Sequence, residues 1–514
     1  MKKDYQQKGT ANPLKHGQIK TWLIVLLSVF CTCVSFAQMP TIKQGPWAKG
    51  VKLTNQAMYI GEDESCYYFF DCSIKTTVLG FSKTDLSLKV EKEYKSKLSV
   101  RFPIYGIVHG DTIEMVIAKS ESRGYQLEKS IIKKSDMTLA STEEIGFSPF
   151  EDGKKHVINM DPVMLMDEIT VTTKCSPDQS CRALVRLDQC KDGMPIIWNV
   201  TALDNRNGAT LWNRDMGFQF SDFVTTNDGK VILVGYFLAD TEDKVMVTLI
   251  IMSGDGEELM TFALPANIGS AELALNGDRL FVTGSLKGEN YGERMFLFNR
   301  NAALCGMYVT VFDMKEQTVV TSDTYSFTNE DVDVYLNAKE GKSKDNEVHW
   351  IDFHPYLMND GRVCVTGVYN YDEVISTHTG AYYQFGKLGG ILNMFDVEGK
   401  LLWRKPYRNG IIGPKEVVTD ELFDINGNLC YYSMVCSKYK YPSDVAATQD
   451  PRLLQTKLRE IILDQEGNET VNIIDGKGVV GIAAQSYNSD KSKRLFLLME
   501  HGLIKSDVRL VVVD

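Results

Sequence analysis

The chain has 514 residues, 44% of them hydrophobic and 24% charged, with a formal net charge of −11. That is apolar enough for a large folded core and rules out an intrinsically disordered protein. The acidic balance argues against nucleic acid and anionic membrane surfaces as partners.

Residues 1–37 read as a signal peptide. Lys2, Lys3, Lys8, Lys15 and Lys20 against Asp4 form a positive start. Trp22 to Val34 is an apolar stretch of 13 residues, and Ser35 and Ala37 place small side chains at −3 and −1 before Gln38. The stretch is short for a membrane-spanning helix, and no later stretch is long enough to span. The expectation is an exported protein (periplasmic, at the outer surface or secreted) whose body is residues 38–514. Of 11 cysteines, Cys31 and Cys33 leave with the signal. An odd number then remains, so at least one is a free thiol or bonds another chain. Cys66 and Cys72, like Cys430 and Cys436, are six apart in strand-like runs. That puts them ~20 Å apart, beyond the ~6 Å a disulfide spans. Cys175, Cys181 and Cys190 fall in a stretch read as loop, where a bridge is feasible.

The body is organised by a repeated hairpin: an apolar strand, an Asn/Asp/Gly turn and a second apolar strand. In chain order, Lys49–Thr54 is a strand without a local partner. Residues 55–95, 98–145 and 157–216 each read as a group of strands, the last with a long internal insertion. Four clear copies of the hairpin follow, at Phe223–Gly235, Leu273–Gly284, Tyr356–Gly367 and Leu422–Tyr432. Three of them continue into a third strand, a Gly turn and a fourth strand, as in Val245 to Leu264. Asn-Gly and Asp-Gly tolerate the positive φ of a tight hairpin. Four antiparallel strands per repeat is the pattern of a propeller blade. The tail, Val479 to Val513, supplies only three strands. The fold class expected is all-β, a single β-propeller of eight four-stranded blades, with the last blade closed by the N-terminal strand. Seven blades and a tandem pair of β-sandwiches are the alternatives.

One copy carries a further motif. Ala202 to Trp212 (ALDNRNGATLW) resembles the tryptophan-docking repeat of quinoprotein-like propellers, Ala-x-Asp-x-x-Thr-Gly-x-x-x-Trp, departing at Asn207 where the family has Thr. Asp396 to Trp403 (DVEGKLLW) is a shortened echo. The resemblance covers two of eight blades. It implies an eight-bladed ring with Trp packed between blades. The family includes both quinone-dependent dehydrogenases and non-catalytic outer-membrane assembly scaffolds. No cofactor-site pattern accompanies the motif, and no cofactor or metal is expected.

In a propeller, the turns joining strands one–two and three–four emerge on one face, and the other connections on the opposite face. Here the first set is uniformly short, while 174–195, 287–304, 329–346, 371–388 and 438–455 form a long set. Long loops on a rigid scaffold are where recognition usually resides. Tyr371, His378, Tyr382, Tyr383 and Phe385 bring aromatic side chains to one such loop, and can stack on sugars or anchor a protein. Asn329 to Asp333 looks like a cluster of calcium-type oxygens but lacks the glycine and spacing of a calcium loop, and reads as a solvated acidic turn. Acids recur at the first strands, which line the channel: Asp222, Glu272, Asp352 and Glu421. Such carboxylates can hold a cation, raise one another's pKa for acid catalysis, or simply wet the channel. No Gly-x-Ser-x-Gly, His-Glu-x-x-His or phosphate-cradling glycine loop occurs. The function expected is an exported, monomeric, non-catalytic propeller binding an envelope or extracellular protein or glycan through its long-loop face. A carbohydrate-active or quinone-dependent enzyme using the channel carboxylates is the alternative.

Overall fold

A computed structural model describes residues 41–51, 57–72, 76–94, 101–150, 170–191, 194–217, 219–238, 245–264, 267–288, 304–328, 331, 351–377, 380–413, 420–435, 457–475, 481–487, 493–500 and 506–513. The expected signal peptide lies outside the described residues. So do His378, the stretches 332–350 and 436–456, and most of 287–304.

The strand order follows the chain in seven of the eight sheets. Blade 1 spans Met58–Tyr94, blade 2 Arg101–Pro149, blade 3 Val171–Met216, blade 4 Gln219–Ala263, blade 5 Glu272–Ser326, blade 6 Ile351–Gly413 and blade 7 Asp420–Asp475. Each is a four-stranded antiparallel meander, its strands here called a to d. Blade 8 takes strands a to c from Gly481–Tyr487, Arg494–Glu500 and Ser506–Val513. Its outer position is filled from the other end of the chain by Ile42–Gln44 and Ala48–Val51, both paired with Ser506–Val513. The molecule is an eight-bladed β-propeller. Strand a of blade 8 touches that of blade 1, and from blade 1 to blade 6 each strand a touches the next, so the first strands form the inner ring.

The closing strand begins earlier than its sequence pattern suggests and is broken in two. Pro46 offers no N–H to the ladder. A Cβ at Gly45 would sit 2.4 Å from Leu86 O, so only glycine passes there. The chain therefore steps away at 45–47 and re-pairs at Ala48, with Gly45 N–H still donating to Leu510 O at 2.9 Å.

Among the described residues eight apolar clusters hold the ring, one at each blade–blade interface. This explains why the b and c strands read as unbroken apolar runs. In Val231 to Val234, Val231 and Leu233 face blade 3, whereas Ile232 and Val234 face blade 5. A strand buried on both faces has no polar alternation to show.

Trp212 and Trp403 each pack against the next blade. Trp212, on strand d of blade 3, donates from Nε1 to Gly229 O in blade 4 at 3.0 Å. Its ring lies where a Cβ on Gly256 of blade 4 would stand, 2.8 Å away. Trp403, on strand d of blade 6, bears the same relation to Gly467 of blade 7, at 2.9 Å.

The stretch 174–195 is not a loop. Val171–Cys175 is strand a of blade 3, Cys181–Lys191 is strand b, and strand c begins at Met194. Cys175 and Cys181 accordingly carry free thiols rather than a bridge, and Cys66 and Cys72 do the same. Cys175 Sγ accepts from Asn205 Nδ2 at 3.6 Å, and the Cys181 thiol donates to Asn227 O at 3.5 Å. Nor is the stretch 371–388 an irregular loop. Strands b and c of blade 6, Val363–Thr377 and Gly380–Phe395, stay paired rung by rung out to Thr377 and Gly380. Strand a of that blade ends its pairing at Ile351 with Tyr369. Strand d follows the extension to Gly413, opposite Phe385. Blade 6 thus carries a flap on the long-loop face, eight b–c rungs beyond Tyr369 of which strand d joins the first three, about 25 Å of strand at ~3.3 Å per residue.

Candidate functional site

Two features stand out: a chain of charged groups across the inner strands, and a cavity at one end of the channel. The charged chain runs over four consecutive blades. Lys174 sits on strand a of blade 3, Asp222 on that of blade 4, Glu272 on blade 5 and His354 on blade 6. Lys174 Nζ meets Asp222 Oδ1 at 2.5 Å. The other carboxylate oxygen, Oδ2, accepts the Leu273 N–H of blade 5 at 2.9 Å. Next along, His354 Nδ1 lies 2.9 Å from the Glu272 carboxylate. Burial pushes the Asp222 pKa up, Lys174 opposes the shift, and the neighbouring Glu272 carboxylate adds to it.

Two of the predicted acids are thus partnered across blades: Asp222 takes the Lys174 ammonium of blade 3 and the Leu273 N–H of blade 5, and Glu272 takes the His354 ring of blade 6. Both Asp222 oxygens are occupied, so it is no open cation site. Among the described residues no group of three or more His, Cys, Asp or Glu is placed to hold a metal ion. Asp352 and Glu421 occupy matching positions, opposite Val368 and Tyr432 on the adjacent strands. Their side chains are outside the described part, as are those of Tyr371, Tyr382, Tyr383 and Phe385. The backbone of these four lies within five successive flap rungs: Tyr371 opposite Gly386, Asp372 opposite Phe385, Val374 opposite Tyr383 and Ile375 opposite Tyr382. In the supposed acidic turn, Asp331 is buried and pairs with Arg404 at 2.9 Å. It is an anchor, not a solvated residue.

Replacing Lys174 with methionine tests the link. Asp222 would be left buried without its counter-charge, a cost of about 1–2 kcal/mol. The lower range applies because the Lys174 side chain is 41% exposed. In the variant the folded-state pKa of Asp222 stands above its unfolded value. The folded state then binds the extra proton, and stability falls as pH rises through that pKa. Urea midpoints should show the loss at pH 7.5 and a smaller loss at pH 5. Equal losses at both would mean that Asp222 is not the source.

The cavity, of about 820 Å³, lies where strands a end and the a–b turns begin. It is walled from every blade, for example by Ile60, Val108, Lys174, Val224, Leu275, Tyr356, Phe423 and Lys493. It therefore opens on the short-turn face, which the loop lengths alone had marked as plain. Blade 3 contributes most of its polar wall: Thr173, Lys174, Arg182, Asn205 and Arg206. Neither Asp222 nor Glu272 is among its described lining residues. Lys174 and Arg182 were not singled out from the sequence because their segment was read as a loop. The usable signal was Ser176-Pro-Asp-Gln-Ser180, a Pro-Asp turn between two alternating strands.

No helix among the described residues is long and apolar enough to cross a membrane. No protein-family profile matches the chain, and comparison with curated protein sequences finds no relative. Solved structures give distant likenesses. A Dos1 propeller is similar at 10% identity and TM-score 0.43, over 92% of this chain and 95% of that one. The C-terminal WD40 domain of Sif2 is similar at 11% identity and TM-score 0.31, over 85% and 99%. The acylaminoacyl peptidase of Pyrococcus horikoshii is similar at 11% identity and TM-score 0.38, over 80% of this chain but 51% of its own, so this chain spans about half of that enzyme's length. The assignment to the β-propellers rests on the strand order itself, eight meanders in a ring closed by the N-terminal strand.

Proposed function

We propose that this chain is an exported, monomeric, non-catalytic propeller that binds an envelope or extracellular protein or glycan through its long-loop face. The blade 6 flap carries the reading. No other blade carries its b–c pairing eight rungs past the end of strand a among the described residues, and the extension holds Tyr371, Tyr382, Tyr383 and Phe385 within a few rungs of each other. A backbone-paired platform loses less conformational freedom on binding than a loose loop.

An enzyme built on the channel carboxylates has one point in its favour, the raised pKa of buried Asp222. Yet Asp222 is committed to Lys174 and Glu272 to the His354 ring, and neither lines the cavity. Glycoside chemistry needs two carboxyl groups facing one substrate. The binding reading is preferred.

The test replaces residues 370–388 by Asn-Gly, which joins the Tyr369–Gly389 rung through a tight turn. Affinity capture from envelope extracts and binding to a glycan array are compared for the two proteins. Loss of the captured partner or bound glycan in the shortened protein, with its melting temperature within a few degrees, is the expected result. An unchanged set of partners and glycans would remove the flap as the binding element.

A further inference from the structure

We infer that the channel mouth on the short-turn face is a binding site for a small organic anion, whose charged end is held by Arg182. This site is separate from the flap, on the opposite face, and does not depend on the reading given above.

Arg182 is oriented before any ligand arrives. Its Nε donates to Asn205 Oδ1 at 3.1 Å, its Nη1 to Thr173 Oγ1 at 3.5 Å, and its guanidinium lies 4.6 Å over the Tyr105 ring. All three partners are neutral. Asn205 is itself buried, and its Nδ2 donates to Gln179 O at 2.9 Å. Gln179 holds a left-handed backbone, φ 60°, which costs a non-glycine residue about 1–2 kcal/mol. The turn is thus held in a costly shape that positions Asn205's acceptor, and through it the arginine. Among the described residues Nη2 makes no hydrogen bond, so part of a planar fork suited to carboxylate or phosphate remains available.

The surrounding charge agrees. Lys174 and Arg206 also line the cavity, but Asp222 and Asp204 match them. The carboxylate on the wall, Glu62, is matched by Lys83 at 3.0 Å. Arg182 and Lys493 remain without an ion-pair partner among the described residues. A concave site with surplus positive charge, in a chain of net charge −11, concentrates anions. A further cation, Arg494, lies on the wall and donates to Leu422 O at 2.7 Å, and apolar side chains, Ile60, Val108, Leu275 and Phe423 among them, line much of the remainder. At about 820 Å³ the cavity has the size of a small-molecule site, roughly 300–1,000 Å³. An apolar body with one anionic end fits this combination.

The probe is 8-anilinonaphthalene-1-sulfonate, titrated by fluorescence into the whole chain, with N-phenyl-1-naphthylamine as the uncharged control. The sulfonate probe should bind, and Arg182→Gln should weaken it about tenfold or more, the worth of a charge-assisted hydrogen bond. The neutral probe should change less than about twofold. Lys493→Gln should weaken the sulfonate probe by a smaller factor. Displacement by benzoate but not inorganic phosphate would assign the site to carboxylates, and the reverse to phosphates. Equal sulfonate-probe affinity in Arg182→Gln and the unaltered chain would overturn the proposal, as would equal loss of both probes at an unchanged melting temperature. If Arg182→Gln melts below the working temperature, Lys493→Gln decides alone, and an unchanged affinity there overturns it.

Discussion

A chain shortened to begin at residue 53 is expected to lose more stability than any single core substitution, when compared with one that begins at residue 38. The removed segment supplies the outer strand of blade 8. Its Ile42–Gln44 piece pairs with Val511–Val513, and its Ala48–Val51 piece with Ser506–Val508. Val51 is fully buried, Ile42 and Trp47 pack beside Val511 and Val513, and Arg509 stacks on Trp47 at 4.7 Å. Burial of an apolar side chain of this size contributes roughly 1.5–3 kcal/mol, and three are lost together. The loss should therefore exceed about 3–5 kcal/mol, the usual cost of one large core truncation. A second effect follows from the exposed ladder. Ser506–Val513 becomes an unpaired apolar edge, the surface on which strands of other molecules add. The shortened protein should melt at lower temperature and self-associate at concentrations where the longer one stays monomeric by light scattering. A synthetic peptide of residues 38–52 added in trans should reverse both. An unchanged melting temperature would show that the ring closes without this strand.

That closure was legible from the sequence because of a deficit: the tail offers three strands and Lys49–Thr54 has no local partner. The position of the closing strand was not legible in detail, since Gly45 and Pro46 look like a terminator and only the contact with Leu86 explains the step. Blade number was readable from the spacing of Asn-Gly and Asp-Gly turns, because a tight turn is a local property. Blade 3 was misread in part because its first turn, Ser176 to Ser180, uses Pro-Asp where the clear copies use Asn or Asp with Gly. The candidate site was less legible still. That acids recur on strand a could be seen, but not that Lys174 and His354 stand opposite Asp222 and Glu272, since those partners are 48 and 82 residues away. The channel mouth is assembled from all eight blades, and no local pattern reports what eight distant strand ends do together.

Trp212→Ala should cost about 3–5 kcal/mol, the largest effect expected of a single substitution here. Trp212 is 7% exposed and sits between blades 3 and 4. Its removal leaves a cavity at the interface and takes the donor from Gly229 O. Its partner glycine allows the cause to be separated. Gly256 has φ +84° and a Cβ there would meet the Trp212 ring at 2.8 Å, whereas Gly277 has φ +55° with nothing within 4 Å. Gly277→Ala should therefore show only the backbone cost of a left-handed alanine, about 1–2 kcal/mol. Gly256→Ala should show that cost plus the displacement of the ring, measured as urea midpoints at constant slope. In the Trp212→Ala background the ring is gone, so Gly256→Ala should fall back to the Gly277→Ala value. The two substitutions are then less than additive, the mark of residues in contact. If Gly256→Ala costs the same in both backgrounds, the glycine is required by the turn alone. The tryptophan would then be filling space beside it rather than setting which residue the next blade can place there.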